Sequence, residues 1–404
     1  MKKTLKIFIM ILLFTININN VSAQEFDISA DNVILYNLND NSILYELESE
    51  KQVNIASLTK IMTTIVAIEN INNLDEEVII PKETFLGIED YSKMGLKIGD
   101  KVTYRDLLYG VMLPSGADAV NALAINLSGS IDNFVKLMND KVKELKLENT
   151  NFDNPIGMDS DKNYSTAKDI SKILLYSIKN KTFEEIFYTK EYTIKNLNLT
   201  IKSTLISYSR NLGINIDNIK GAKSGFTDGA GLCFATIANY DDVEYLLIVL
   251  GSDTNNRANA VKDTLEIYDY YSSNYSYQPI VKKEDVVKKI NVKYGHNKTY
   301  EIKNNQEIYL YLPNSTRKNR IKYIYEGIEE LNYFIKKGTK LGTVKVLYEG
   351  EELTKYDIYL TDELEYYHPF LYIVIIISFL IMITSLKKIL FKKKKKRKKK
   401  KRKK

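Results

Sequence analysis

Between Pro369 and Leu386 the chain runs 18 residues without a charge, rich in Ile, Leu and Phe. A stretch of that length spans a bilayer as one helix and is too apolar to face water. Tyr366, Tyr367 and Tyr372 supply an aromatic belt on its outer side, and a basic block, Lys392–Lys404, follows. Positive-inside bias places that block in the cytoplasm, where each basic residue near anionic lipid contributes about 1 kcal/mol to holding it there. Residues 1–23 read as a secretory leader: Lys2, Lys3 and Lys6, then apolar Ile7 to Phe14, then the small-residue cleavage site Val21-Ser22-Ala23. The two ends together predict a working part exported and tethered to the outer face of a cell membrane by a single C-terminal pass. The expected divisions are a signal peptide (1–23), a larger domain (24–277), a β-rich domain (278–365), a transmembrane helix (366–387) and a basic cytoplasmic tail (388–404).

Charge supports this division. Of 58 basic residues, 15 fall from Lys387 onward and three in the leader, so the body between sets 40 bases against 51 acids. The net of +7 therefore belongs to the tail, and the acidic body excludes nucleic acid as the partner of the exported part. A single cysteine, Cys233, rules out an internal disulfide framework and a cysteine-built zinc site, and its place in an apolar strand marks it as a small buried residue. Only two histidines exist, His296 and His368, and the second abuts the membrane segment. Serine catalysis built on histidine is thereby excluded, as are His-rich metal sites; no metal or organic cofactor is expected.

Along the body, Val33, Leu35 and Asn37 alternate, the chain turns at Asn39-Asp40-Asn41 and returns through Ile43 and Tyr45, an early β-hairpin. A helix opened by Ser57 follows, with Leu58, Ile61, Ile65 and Ile68 on one face. A helical region is expected over roughly 104–180, then strands at Gly231–Ala238 and Val243–Gly251 about a turn at Asn239–Asp242, then a helix from about Arg257 to Tyr271. Strands at both ends with helices between predict an α/β domain with a helical insertion, its mixed sheet closed by pairing of the terminal segments. From Gln278 short alternating runs (Val286–Tyr294, Tyr300–Ile302, Glu307–Leu312, Ile321–Tyr325, Val344–Tyr348, Tyr356–Leu360) predict a small all-β sandwich acting as a stalk.

Without histidine, an activated serine needs another base, and lysine is the one available. Ser57-Leu58-Thr59-Lys60 offers a serine at a helix N-terminus with a lysine one turn on, where first-turn N–H groups face a developing oxyanion. Alone this spacing means nothing: it recurs at Ser165–Lys168, Ser315–Lys318 and Ser385–Lys388, and a serine opening a helix is ordinarily a cap. Two partners lift it. Ser115-Gly116-Ala117-Asp118 opens a second apolar helical stretch, and Lys223-Ser224-Gly225 is the only Lys-[Ser/Thr]-Gly triplet, placed before the strand Gly231–Ala238. Singly, Ser115 reads as a cap after Pro114 and Lys223 as a solvated strand-end lysine. In joint order, in an exported chain, they follow the penicillin-recognising serine enzymes.

The text around these residues resembles the D-alanyl-D-alanine carboxypeptidases, the low-molecular-weight penicillin-binding proteins of peptidase S11 type. It is carried by Ile55-Ala56-Ser57-Leu58-Thr59-Lys60-Ile61-Met62-Thr63, Leu113-Pro114-Ser115-Gly116-Ala117-Asp118-Ala119, Asn149–Gly157, Tyr164–Asp169 and Lys223–Gly231. The likeness covers about residues 25–275, and the β-rich region resembles the family's C-terminal domain. The resemblance implies a β-lactamase/transpeptidase-like domain with an antiparallel sheet flanked by helices. It implies removal of the terminal D-Ala from peptidoglycan pentapeptide stems, with β-lactam antibiotics as covalent inhibitors. By its motifs Ser57 is the nucleophile, Lys60 the base and Ser115 the proton relay. Lys223 and Ser224 hold the terminal carboxylate with Thr227 and Arg257 as helpers, and the N–H groups of Ser57 and Phe226 form the oxyanion hole. The family pattern has Asn where this chain has Ala117, and Thr where it has Ser224.

The chemistry agrees. A lysine acts as base only when neutral, and bringing it from about 10.4 to near 7 costs roughly 4–5 kcal/mol, which burial beside a second cation such as Lys223 supplies. A class A β-lactamase, the nearest alternative enzyme, needs a Glu-x-x-x-Asn motif; Glu184 and Glu185 are followed there by Tyr188 and Thr189. An endopeptidase or transpeptidase of the same superfamily uses the same three elements. A tethered wall-binding protein with a decayed site is the non-enzymatic alternative, with Ala117 as its signal.

Overall fold

The computed structural model describes residues 26–367 and 369–401. The leader expected over 1–23, His368 and the last three residues of the tail lie outside the described residues. The chain divides between Ser273 and Asn274 into two compact units.

The first unit opens with the hairpin β1 (Asn32–Asn37) and β2 (Ser42–Leu47), whose Asn39–Asn41 turn is fixed by the Asp40 carboxylate accepting from the N–H and hydroxyl of Ser42. A 3-10 turn, Ala56–Leu58, leads into α1 (Thr59–Asn70), which is buried along nine successive residues from Thr59 to Ala67. Two short strands, β3 (Glu77–Ile79) and β4 (Lys101–Thr103), pair and hand on to α2 (Tyr104–Met112). That helix starts where it does because Thr103 and Asp106 cap each other's backbone N–H, two orphan donors satisfied reciprocally. Then come α3 (Ala117–Ser128), α4 (Ile131–Glu144), α5 (Ala167–Ser177) and α6 (Lys181–Tyr188), the hairpin β5 (Glu191–Ile194) and β6 (Leu199–Lys202), and α7 (Thr204–Leu212). Three long strands, β7 (Ile219–Thr227), β8 (Gly231–Tyr240) and β9 (Val243–Ser252), precede α8 (Asn259–Asn274).

The sheet order is β2-β1-β9-β8-β7. The terminal segments pair as expected, Leu35 against Leu247, but every neighbouring pair is antiparallel, so the mixed sheet read from periodicity is wrong. Tight β7–β8 and β8–β9 turns leave no crossover that a parallel pair would need. The helical region is also interrupted: residues 145–166 form no helix, and they fold back so that Val53 bridges Ser165 and Asn151 bridges Tyr164. Lys223-Ser224-Gly225 does precede Gly231–Ala238, but it lies inside a strand of its own, β7, for which the sequence shows no clear alternation. One apolar core, including Ile34, Ile61, Ile65, Leu107, Val120, Phe134, Ile170 and Ile248, joins the helices to the sheet.

In the second unit β10 (Tyr275–Val281), β11 (Val286–Val292), β12 (Thr299–Lys303), β13 (Ile308–Pro313), β14 (Ile321–Gly327), β15 (Glu330–Leu331), β16 (Lys340–Tyr348) and β17 (Glu351–Tyr359) form three small sheets. Their inward residues, among them Ile280, Ile290, Ile302, Leu331, Val344, Val346 and Ile358, make a separate core. The chain then enters α9 (Pro369–Lys401). Among the described residues this is the one helix long and apolar enough to cross a membrane, over Phe370–Lys396.

Asp118, fully buried in the first turn of α3, accepts from the backbone N–H groups of Met94 (2.7 Å), Gly95 (2.9 Å) and Leu96 (3.0 Å). One carboxylate thus pins the 94–96 segment to the helix. Asp118→Ala is expected to lower unfolding free energy by about 2–4 kcal/mol in urea, because buried donors are left without acceptors. A loss below about 0.5 kcal/mol, the size of an ordinary surface change, would refute the role.

Candidate active site

Ser57 sits in the 3-10 turn ahead of α1 rather than in the helix itself. The residue before it, Ala56, has φ 47, a left-handed conformation that costs a non-glycine residue about 1–3 kcal/mol and is held by its surroundings. Two glycines do the holding. A Cβ on Gly157 would stand 1.9 Å from the Ala56 carbonyl oxygen, and one on Gly225 of β7 would stand 3.0 Å from Ser57 N. Only a bare Cα lets the 154–158 turn and strand β7 close on the serine from two sides.

One turn into α1, Lys60 is fully buried, with Nζ 2.8 Å from Ser57 Oγ. Its amine donates to the Ile156 carbonyl at 2.7 Å. Burial holds the Lys60 pKa well below its ordinary value, and the charge of Lys223 pushes it further down. A neutral Lys60 with one N–H on Ile156 has its lone pair free for the Ser57 hydroxyl at proton-transfer distance. The Ile156 carbonyl is aimed by Asn154, whose Oδ1 accepts from Gly157 N (2.8 Å) and Met158 N (2.9 Å). The same turn offers the Pro155 carbonyl to Thr63 Oγ1 at 2.7 Å.

Ser115 stands between α2 and α3 with φ 61, a second left-handed residue. The backbone around it is clamped by Gly116 N–H on Gly110 O (2.9 Å) and Ala117 N–H on Ser92 O (2.7 Å). Lys223, fully buried in β7, donates to Ser115 Oγ at 2.9 Å and to its neighbour's carbonyl, Ser224 O, at 2.7 Å. Burial pushes the Lys223 pKa down to about 7. Ala117 is buried at the start of α3 and carries no amide to reach Lys60.

Ser57, Lys60, Ser115, Ser224, Phe226 and Thr227 all line one cavity of about 410 Å³, with Lys223 directly behind Ser115. The sequence candidates therefore converge, with one exception. Arg257 is exposed on the loop ahead of α8 and is not part of the cavity wall. Its charge is felt by Tyr208 in the wall, whose pKa burial pushes up while Ser224 and Arg257 pull it back. The resemblance gives Arg257 a helping role at the carboxylate; its side chain is exposed and does not line the cavity, though its charge acts on the wall residue Tyr208.

Several wall residues had no sequence signal. Thr204 and Tyr208 come from α7, and Thr204 Oγ1 accepts from Ser224 Oγ at 2.9 Å. Asp159 accepts from Thr227 Oγ1 (2.6 Å) and Gly229 N (2.8 Å), tying the end of β7 to the 145–166 segment. Asp90, Tyr91 and Ser92 form the opposite rim. Glu184 and Glu185 are elsewhere: Glu184 pairs with Lys181, and Glu185 accepts from the Tyr109 hydroxyl. No carboxylate from α6 therefore stands over the serine. The arrangement can pair a hydroxyl with an amine of depressed pKa, as an activated nucleophile requires, sets a second hydroxyl–amine couple beside it, and adds wall hydroxyls suited to a carboxylate.

A family model described as D-alanyl-D-alanine carboxypeptidase matches residues 19–254, and one for the C-terminal domain of penicillin-binding protein 5 matches residues 275–366. The chain is 30% identical to the D-alanyl-D-alanine carboxypeptidase DacF of Bacillus subtilis over 311 residues, 74% of this chain and 76% of that one. Its fold is similar to penicillin-binding protein 5 from Haemophilus influenzae, with a TM-score of 0.62 at 24% identity over 85% of this chain and 99% of the other. It is also similar to the Streptomyces K15 DD-transpeptidase, with a TM-score of 0.55 at 31% identity over 61% of this chain and 98% of that one.

Asn154 offers a test of the geometry. Asn154→Ala releases the turn that aims Ile156 at Lys60, and acylation by a penicillin is expected to slow about tenfold, equivalent to roughly 1.4 kcal/mol of barrier. The acid limb of the rate–pH profile should move with it, and Asn154→Asp, which keeps the acceptor oxygen, should recover part of the rate. An Asn154→Ala protein with unchanged acylation rate and pH profile would show that the turn does not position the base.

Proposed function

Because the chain belongs to the D-alanyl-D-alanine carboxypeptidase family, we propose that Ser57 is the residue through which it removes the terminal D-Ala of peptidoglycan pentapeptide stems. The protein is a serine-type carboxypeptidase of the penicillin-binding kind. The observation that carries the residue assignment is the 2.8 Å approach of Lys60 Nζ to Ser57 Oγ within a cavity that Ser115 and Ser224 also line.

The steps follow from the proton inventory. Neutral Lys60 takes the Ser57 proton as Oγ adds to the carbonyl of the penultimate D-Ala. The N–H groups of Ser57 and Phe226 receive the oxyanion, fixed donors of the sort worth several kcal/mol in a transition state. Collapse breaks the amide bond, and the leaving D-Ala amine takes a proton passed from Lys60 through Ser115. Water, deprotonated by the now neutral Lys60, then cleaves the Ser57 ester and frees the shortened stem. The substrate's free carboxylate lies on the hydroxyls of Ser224 and Thr227, with Lys223 behind them as its counter-charge. Arg257 is left out of this contact. A β-lactam enters by the same acylation and forms the ester without the release of an amine.

The remaining elements fit a protein fixed to the cell membrane: α9 as a C-terminal anchor, the catalytic unit outside, and the basic tail in the cytoplasm. The divisions of the chain expected at 24–277 and 278–365, and the leader at 1–23, complete that reading.

Mass spectrometry of a pentapeptide before and after incubation should show loss of one alanine, and Ser57→Ala should abolish it. Retention of activity in Ser57→Ala or Lys60→Ala would refute the assignments. Products carrying a new amine acceptor instead of a free carboxylate would identify a transpeptidase, and rapid release of a fluorescent penicillin a β-lactamase. Because the base must be neutral, acylation should rise as pH increases through the depressed Lys60 pKa and then level off; a rate that falls over that range would exclude Lys60 as base.

A further inference from the structure

The end of the β unit from which α9 departs carries an unusual surface. Tyr367 N–H donates to the Tyr294 carbonyl at 2.7 Å, and Tyr366 bridges Gly295. The His296 ring lies 4.2 Å from the Tyr367 ring, and its Nδ1 is 3.0 Å from Glu365. Tyr333 and Lys336 of the 332–338 loop close on Tyr366 from the other side, around a cavity of about 480 Å³. That loop is therefore a neighbour of Tyr366, four residues ahead of Phe370, where the apolar span starts. Two residues lie between Tyr367 and Phe370, so the two Cα atoms are at most about 11 Å apart along an extended chain.

At this end the aromatic side chains point into solvent. Phe334 is 73% exposed, Tyr367 53%, Tyr294 51% and Tyr333 43%. The Phe334 ring is braced by Tyr333 at 4.0 Å between centroids, and Lys293 Nζ stands 5.7 Å over Tyr294. Lys336 and Lys337 are exposed directly after Phe334. Glu365, which lines the same cavity as Lys336, is engaged by His296. Exposed Phe and Tyr beside lysines suit one environment, the boundary between lipid headgroups and acyl chains, where the ring is apolar below and the ammonium meets phosphate above.

We propose that the Tyr333–Phe334 loop, with Tyr294 and Tyr367, is a lipid-contacting collar that seats the β unit on the outer leaflet around the exit of α9, with Lys336 and Lys337 on anionic headgroups. This rests on the membrane-anchor reading of α9. It makes the stalk a second point of attachment, so that the unit is held against the bilayer and does not swing on a single helix.

The chain contains no tryptophan, so one introduced indole reports alone. Phe334→Trp and Ile376→Trp are each prepared in the full chain, in vesicles of phosphatidylglycerol and phosphatidylcholine with brominated acyl chains. Loss of indole emission with a blue shift in both variants is the expected result. Quenching of Ile376→Trp alone leaves the anchor standing and overturns the collar; quenching of neither overturns the anchor reading, and the collar falls with it. In the Phe334→Trp background, Lys336→Glu with Lys337→Glu should weaken the quenching, as should vesicles of phosphatidylcholine alone. Quenching indifferent to both changes would remove the lysines from the contact.

Discussion

Everything in the site depends on two amines kept dry. Lys60 and Lys223 are both fully buried, and each has its Nζ within hydrogen-bond distance of a serine hydroxyl, Ser57 for one and Ser115 for the other. A buried ammonium without a carboxylate partner is expensive, so burial lowers the pKa of both, and Lys60, which also feels the charge of Lys223, is the one driven to shed its proton. The architecture is what supplies the dryness. α1 is enclosed along its catalytic face, β7 presses on Ser57 through Gly225, and the 154–158 turn seals the third side through Gly157. The left-handed backbone at Ala56 and Ser115 is the local strain that this enclosure sustains.

How much of this was legible in the sequence depends on whether the signal was local. Ser57 and Lys60 share a helical face, so their spacing carried their relation, and the two further serine and lysine motifs carried theirs by order. The hairpin at 32–47, the strands after Gly231 and the short strands of the second unit were readable from alternation and turn residues. The 145–166 segment was not. It sits between helices, lacks periodicity, and matters through backbone carbonyls and the single side chain of Asn154, none of which a pattern of residue types reports. Thr204 and Tyr208 lie on a short helix of mixed polarity whose only role at the site is where it is placed. Arg257 is the converse case: its chemistry suits a carboxylate, but whether it lines the cavity depends on the path of the loop after β9, which no local pattern reports.

The departures from the family pattern acquire a physical content in this setting. Ser224 keeps the hydroxyl of the threonine it replaces and is steadied by Thr204, so the carboxylate-binding wall loses a methyl group and no donor. Ala117, buried at the start of α3, has no side-chain amide where the family pattern has one, and Lys60 makes no hydrogen bond to that position. What remains for that amine is the Ile156 carbonyl, whose direction comes from the Asn154 turn, so the orientation of the base rests on backbone more than on a neighbouring side chain.

The antiparallel pairing of β1 with β9 has a consequence for how the molecule comes into being. Leu35 finds Leu247 only after some two hundred intervening residues have been made, and closing so large a loop is slow and entropically costly. Until Val243–Ser252 emerges, the hairpins β1–β2 and β7–β8 can each pair internally, but the strand that joins them into one sheet is missing. A nascent chain halted just short of that strand would thus possess both serines and both lysines in its covalent structure, yet lack the strand that ties β7 and β8 to β1. The sheet becomes whole late and all at once, with the last of its strands to be made.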